Sequence, residues 1–470
     1  MHTIPEAQLL ERMRIENPWW GESGQTDEVY KQMRPRACIE SFAKLVETKD
    51  VRRAVVLMGP RRVGKTVLLQ HIIQKLLDKD IPPRSVAYLS LDQPLYSNLS
   101  MEELATLVFQ AGGGEATRPT FLFLDEIQYL KDWERHLKVF VDSYPHIKCV
   151  VSGSAAAALR LKSMESGAGR FTDFLLPPLT FYEYLDLQEI STLVVRKENE
   201  LRRKDTGMDI ENLNEHFIRY IKIGGYPEII FSETIRQDIS RYVRSDIVDK
   251  VLLRDLPSLH GIQDIQELNS LFMTLAWNTA QEVSLDKLSQ NSGVSKPTLN
   301  RYIEYLEAAF LIKTVRRIDR NARRFKRVTS FKVYLTNPSI HYALFGSTDD
   351  KEPSGALVET AVFAQLLHLK NYEFYYARWQ GGEVDIVSLD ERGRPNWCGE
   401  VKWSDKDIEQ KSKRGPLLAF LKRHPGMDTC FFTTRTQGGI VDIGNQELMY
   451  LPTSVYCYLA GLHAAPDLSL

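Results

Sequence analysis

The sequence predicts an α/β protein: a parallel-sheet domain around a phosphate-binding loop, then a helical lid, a winged helix-turn-helix and a second α/β module. Three observations predict it. Gly59-Pro60-Arg61-Arg62-Val63-Gly64-Lys65-Thr66 fits the pattern GxxxxGK[ST] and lies between an apolar, strand-like run and an amphipathic, helix-like one. Short apolar runs at Ala54 to Met58, Val86 to Leu91, Phe121 to Leu124, Ile147 to Val151 and Phe174 to Leu176 alternate with amphipathic stretches, as parallel strands with crossover helices require. Near the other end, Asp385 and Glu400-Val401-Lys402 fall on two successive strand-like runs behind a helix.

At 470 residues the chain exceeds what one hydrophobic core serves, so at roughly 100–200 residues per domain it holds two to four. A hydrophobic content of 43% with 26% charged residues excludes disordered and fibrous classes. The net charge of -1 supplies no overall attraction to nucleic acid, so such binding has to come from local basic surfaces. Five scattered cysteines without CxxC spacing read as reduced thiols rather than as a disulfide or zinc framework. The start lacks a signal-peptide pattern, and no apolar run approaches the ~18 residues of a membrane helix; a cytoplasmic protein without membrane contact is expected.

The expected domains follow in order. Residues 1–180 form the P-loop domain with an N-terminal helical extension, in which Asn17-Pro18-Trp19-Trp20 is a structural aromatic knot. Lys65 to Leu77 carries its apolar residues on one stripe, and Ser100 with Glu103 forms a capping box that opens the next helix. Residues 181–260 lose the strand pattern and read as a helical lid, turning at Gly224-Gly225-Tyr226-Pro227. In 261–345 a helix over Leu285 to Ser289, a turn at Ser292-Gly293 and a helix from Lys296 to Ala309 have helix-turn-helix spacing; Phe310 to Val315 and Phe331 to Leu335 read as its wing. Gly346 to Ser354 reads as a linker to the 355–470 module.

A phosphate loop works through backbone N–H groups that wrap the phosphates and the positive potential of a helix start. The expected cradle is Gly59, Pro60, Arg61, Arg62, Val63, Gly64, Lys65, Thr66 and Val67, with Lys65 on the outer phosphates and Thr66 on Mg²⁺. Phe121 to Leu124 ends in two acids: Asp125 to hold the Mg²⁺ shell and Glu126 to orient and deprotonate the attacking water. Ser152, in Ser152-Gly153-Ser154, is a candidate γ-phosphate sensor, and Arg170, after Ser166-Gly167-Ala168-Gly169, a candidate for neutralising transition-state charge in cis or from a neighbour. ATP and Mg²⁺ are the expected cofactors.

Lys313, Arg316, Arg317, Arg320, Arg323, Arg324, Lys326, Arg327 and Lys332 crowd a stretch in which Asp319 is the only acid. With Lys296, Thr298, Asn300 and Arg301 on the preceding helix, this is a footprint for nucleic-acid phosphates; a solvated face or an internal docking surface is the alternative. In the last module, Asp385 and Glu400 can share a divalent metal completed by Glu359, while Lys402 orients a nucleophile.

The order of these pieces, with Phe123-Leu124-Asp125-Glu126-Ile127-Gln128, Val151-Ser152-Gly153-Ser154, Leu179-Thr180-Phe181-Tyr182-Glu183-Tyr184 and Gly224-Gly225-Tyr226-Pro227-Glu228, resembles a group of prokaryotic AAA-superfamily ATPases over about 50 to 435. In that group a P-loop domain is joined to a winged helix and a C-terminal restriction-endonuclease-like (PD-(D/E)XK) module. The resemblance implies nucleotide binding and hydrolysis by Lys65, Thr66, Asp125 and Glu126, and an endonuclease-type site at Glu359, Asp385, Glu400 and Lys402. An ATP-hydrolysing homo-oligomer acting on DNA, with a metal-dependent nuclease module, is the leading expectation. The alternative is an ATP-dependent switch or scaffold whose C-terminal module binds without cleavage.

Overall fold

The computed structural model describes residues 5–113, 119–153, 169–190, 209–257, 262, 264–325, 329–346, 352–369, 372–406, 411–427, 429–443 and 446–465. The chain divides into two compact units, one built on Met1–Leu176 and the other on Pro177–Ala464.

In the first unit five strands, β1 (Ala54–Met58), β2 (Val86–Ser90), β3 (Phe121–Asp125), β4 (Lys148–Gly153) and β5 (Phe171–Leu175), form one sheet in the order β2-β3-β4-β1-β5. Every neighbouring pair is parallel. β1, β3 and β4 are buried along their whole length, which explains their unbroken apolar runs: a strand covered on both faces has no reason to alternate. The helix Lys65–Leu77 follows β1, and Met101–Gly112 opens on the capping box between Ser100 and Glu103 that the sequence predicts. The aromatic knot is a clasp on β2: the indole N–H groups of Trp19 and Trp20 both donate to the Val86 carbonyl at 2.9 Å, and Asn17 donates to that of Tyr88 at 2.8 Å.

The second unit is organised by nine strands: β6 (Gln281–Ser284), β7 (Ile312–Ile318), β8 (Ser330–Leu335), β9 (Phe374–Trp379), β10 (Gly382–Leu389), β11 (Pro395–Glu400), β12 (Thr429–Thr434), β13 (Gly439–Ile443) and β14 (Gln446–Pro452). Their order is β13-β14-β12-β11-β10-β9-β7-β8-β6. The expected linker therefore does not separate two sheets, because β7 pairs in parallel with β9 and carries one sheet across it. The cores merge as well: Ile318 and Ala322 pack with Val384, Val387, Leu417 and Phe420. Glu282 on β6 accepts a hydrogen bond from the Tyr376 hydroxyl on β9 at 2.7 Å. Two intervening strands would hold those residues apart in a flat sheet, so the contact requires a strongly coiled one.

Helices Leu285–Ser292 and Lys296–Ala308, joined through Gly293 at φ +73°, have the expected helix-turn-helix order. The stretch 181–260, expected as a helical lid, holds Phe181–Leu187, Ile210–Ile223 and Pro227–Phe231, followed by wide π-helical turns at Tyr242–Asp249 and Val251–Asp255. A buried polar knot binds it to the C-terminal part. Gln365 accepts from the Phe181 N–H at 2.8 Å and donates to the Tyr220 hydroxyl at 3.1 Å, which donates to the Leu179 carbonyl at 2.8 Å. No helix among the described residues is long and apolar enough to cross a membrane. All five cysteines are free, Cys398 and Cys430 lying with their sulfurs 3.6 Å apart.

Candidate functional sites

The phosphate loop leaves the C-terminal end of β1, where parallel sheets place their ligand sites. Gly59 is required by space: a Cβ there would stand 2.2 Å from the Leu176 carbonyl oxygen. Gly64 is required by conformation, at φ +92° immediately before the helix. Lys65 is buried at that helix start, and its ammonium donates to the loop carbonyls of Pro60 at 2.8 Å and Gly59 at 3.2 Å. Arg36, which carries no sequence signal, braces the loop by donating to the Val63 carbonyl at 2.8 Å.

Asp125 ends β3 and is 1% exposed. Its carboxylate accepts from the Thr66 hydroxyl at 2.7 Å, the Tyr88 hydroxyl at 2.9 Å and the Ser152 hydroxyl. Burial and the neighbouring charge of Glu126 push its carboxyl above the usual range, against the lowering by those three hydroxyls. A buried carboxylate held by neutral donors, beside the Thr66 oxygen, is a donor set that fits Mg²⁺. Ser152 contributes by positioning Asp125 and by accepting from the Glu126 N–H at 3.2 Å; Ser154 lies outside the described residues. Tyr88 contributes to this site although the motifs do not reveal it; a hydroxyl in the middle of the apolar run Val86 to Leu89 is the available signal.

Arg170 requires a correction. Its carbonyl accepts from the Ala54 N–H at the start of β1, and β5 runs parallel from there, so Arg170 sits at the sheet edge opposite the phosphate loop. Its guanidinium is exposed and pairs with Asp142 at 2.6 Å. It does not neutralise charge at its own phosphate site.

In the second unit, Glu359 from the helix Gly355–Leu366, Asp385 from β10, Glu400 at the end of β11 and Lys402 just beyond it come together as the sequence predicts, joined by Glu383 of β10, which the motif does not include. They do not converge on a shared open position. Lys332 on β8 is ion-paired with Glu383 at 2.7 Å and donates to Glu359 at 2.9 Å and Asp385 at 3.2 Å, with its side chain only 4% exposed. Lys402 donates to Glu400 at 2.6 Å and Asp385 at 3.3 Å. The Tyr334 hydroxyl adds a 2.6 Å bond to the same Glu359 oxygen that Lys332 holds, and the Val401 N–H donates to Asp385 at 3.0 Å.

The electrostatics follow from this arrangement. Burial, then the charge of Asp385, push Glu400 up to about 8 and Glu359 to about 7. Burial opposes ionisation of Asp385 too, but Lys332 and Lys402 outweigh it and hold that carboxyl at about 2. Among the described residues no group of three or more His, Cys, Asp or Glu side chains is arranged to hold an ion. The three-carboxylate metal set of Glu359, Asp385 and Glu400 does not fit a divalent ion in this arrangement, since ammonium groups stand between its oxygens. This also corrects the place of Lys332, which faces inward rather than outward with the basic run.

The remaining basic residues divide. Arg316, Arg317 and Arg324 line a cleft with Phe325, Thr329, Ser330 and Tyr375, where the Arg317 guanidinium lies 5.4 Å from the Phe325 ring and that of Arg324 5.0 Å from the Tyr375 ring. Lys296 is engaged with Asp286, and Thr298 with Ser295; Asn300 and Arg301 are exposed. Lys326 and Arg327 lie outside the described residues, as do 166–168.

Residues 51–185 match the family model of the AAA domain. The chain carries an AAA P-loop domain. Residues 214–351 match a second family model, a domain of unknown function, DUF8612. The chain is 25% identical over 366 residues to the uncharacterised protein MJ1544 of Methanocaldococcus jannaschii, covering 76% of this chain and 77% of that one. It is 23% identical over 350 residues to an uncharacterised protein of Haemophilus influenzae, covering 73% and 82%. Among solved structures, the Aeropyrum pernix ORC2 protein in ADPNP–ADP complexes is similar at 13% identity and TM-score 0.36, over 65% of this chain and 91% of that one. AMPPCP-bound DnaA from Aquifex aeolicus is similar at 15% identity and TM-score 0.24, over 57% and 86%. The latter two are distant likenesses, and the AAA domain stands on the family match and on its own parallel sheet and loop.

Proposed function

We propose that the protein binds and hydrolyses ATP at the AAA domain and uses the winged-helix segment to contact nucleic acid, DNA being the favoured form. One observation carries the first part: the Thr66 hydroxyl meets the buried Asp125 carboxylate at 2.7 Å directly beside Lys65 at the mouth of a helix. Mg²⁺ held by Thr66 and Asp125 would offset the phosphate charge. Lys65 exchanges its carbonyl partners for phosphate oxygens, the loop N–H groups bind the remaining ones, and Glu126 orients a water and accepts its proton. Nucleotide binding by Lys65→Ala is the test: fluorescent ATP analogue should bind wild type and lose at least about tenfold in affinity to the variant, a change of ~1.4 kcal/mol. Equal binding removes the proposal. The same samples on a sizing column, with and without ATP, report whether nucleotide drives the expected self-association.

The nucleic-acid reading rests on the arginine cleft, where guanidinium groups beside aromatic rings suit both phosphates and bases. Replacing Arg316, Arg317 and Arg324 together by Ala should weaken binding of labelled DNA. Its log–log salt dependence should become shallower by about 2–3, because each phosphate that an arginine neutralises adds roughly 0.9 to the slope. An unchanged salt slope would dismiss the cleft. Of the two outputs expected from sequence, the lysine-filled carboxylate centre favours a switch whose C-terminal module binds without cutting while the centre stays assembled in this way.

A further inference from the structure

We propose that Lys332 is a resident cation, occupying the carboxylate centre of the second unit in place of a divalent metal and barring metal while it stays there. An ammonium has three donors and no acceptor; that of Lys332 donates to Glu359 on a helix and Asp385 on β10 and is ion-paired with Glu383, also on β10. A lysine this buried is stable only because those acids surround it. The centre is not merely an acidic patch, since Glu400, 7% exposed, keeps one carboxylate oxygen buried and without a hydrogen-bond partner. That oxygen is a buried group without a partner, on the residue that Lys402 joins to Asp385.

A divalent ion needs oxygens at roughly 2.0–2.6 Å, drawn from the same set that the Lys332 ammonium now spans. A divalent ion would add two more positive charges beside an ammonium that already holds Glu359 and Asp385, in a largely buried centre, so lysine in place opposes metal. The location of Lys332 also ties the centre to the basic cleft. Lys332 pairs with Val315, and Phe331 with Arg316, so the residue that fills the centre and the arginines that line the cleft belong to one β7–β8 hairpin. A ligand that displaces that hairpin would withdraw the ammonium.

Mn²⁺ binding tests the idea, read from the electron paramagnetic resonance of free Mn²⁺ with nucleotide-free full-length protein. All samples carry Asp125→Asn, which removes the proposed metal-holding carboxylate of the AAA domain, and the readout is independent of whether ATP is hydrolysed. With Lys332 present, no Mn²⁺ should bind in an Asp385-dependent way. Lys332→Met should gain about one bound Mn²⁺ per chain, at least roughly tenfold tighter than the parent, and lose it again with Asp385→Asn. Lys332→Arg, which retains the charge, should gain none. Thermal melts identify folded variants, and Lys332→Gln replaces Met if the latter unfolds. Asp385-dependent Mn²⁺ binding by the parent chain, which needs no substitution at 332, would overturn the proposal, as would a folded neutral variant that gains no site.

Discussion

Glu126→Gln should retain ATP and lose turnover, by roughly 10²–10⁴-fold, the range that a positioned general base supplies. The backbone explains why the effect should be confined to chemistry. Glu126 follows β3 at φ 56°, a left-handed conformation that a non-glycine residue adopts only when its surroundings hold it. Its N–H is held by Asp125 and Ser152, each at 3.2 Å, and its carboxylate accepts from the Gln128 amide. Glutamine has the same length and keeps a carbonyl oxygen for Gln128, but it cannot take a proton from water. Lys65 and Thr66 are untouched, and removing the Glu126 charge relieves the repulsion that raises Asp125, so Mg²⁺-nucleotide affinity should not fall. Single-turnover hydrolysis together with equilibrium binding checks both halves. Wild-type turnover in the variant would assign the base elsewhere; loss of binding would show that Glu126 shapes the loop instead.

The two sites are legible in the sequence to different degrees, for reasons rooted in chain locality. The helix Lys65–Leu77, the capping box at Ser100 and the run ending in Asp125 are written in contiguous residues, and the structure has them where the pattern puts them. Strand direction is less visible, although it is available. In a parallel sheet every strand begins at the edge away from the ligand loops, and Arg170 immediately precedes β5, so the fold class itself argues against a role at its own phosphate site. Lys332 is hidden by its neighbours in sequence. It follows a run of exposed arginines, whereas its surroundings are set by the coiling that brings β8 to β10, a long-range property. A local hint exists, since Phe331, Val333, Tyr334 and Leu335 around it are all buried, and alternation puts Lys332 on the same face as Tyr334, its partner on Glu359. Helix Lys411–Arg423 is masked because Gly415-Pro416 lies inside it, and Pro is a poor residue for a helix interior.

Asp385→Ala should cost the second unit about 3–5 kcal/mol, the penalty for breaking a buried ion pair by removing one partner. The size follows from what it leaves behind. Among the described residues Asp385 alone joins the two ammonium groups, accepting from Lys332 at 3.2 Å and Lys402 at 3.3 Å, and its loss also strands the Val401 N–H. Asp385→Asn keeps an oxygen for one donor and should cost less, which separates the lost charge from the cavity left by Ala. The dependence on pH has a definite sign. A carboxyl held at about 2 when folded, and near the ordinary 3.8 when unfolded, stabilises above the unfolded value and loses that stabilisation as pH falls through the folded one. Urea melts should therefore show the full wild-type advantage over Asp385→Ala at pH 7, and a smaller one in acid as pH drops below about 4. A penalty at pH 7 under about 1 kcal/mol, the value of an exposed salt bridge, would mean that water reaches the centre and that Lys332 is not sealed within it. The same measurement decides how a DNA-cleavage assay should be read. An Asp385→Ala protein that loses activity together with several kcal/mol of stability says nothing about chemistry, whereas Asp385→Asn in a folded chain does.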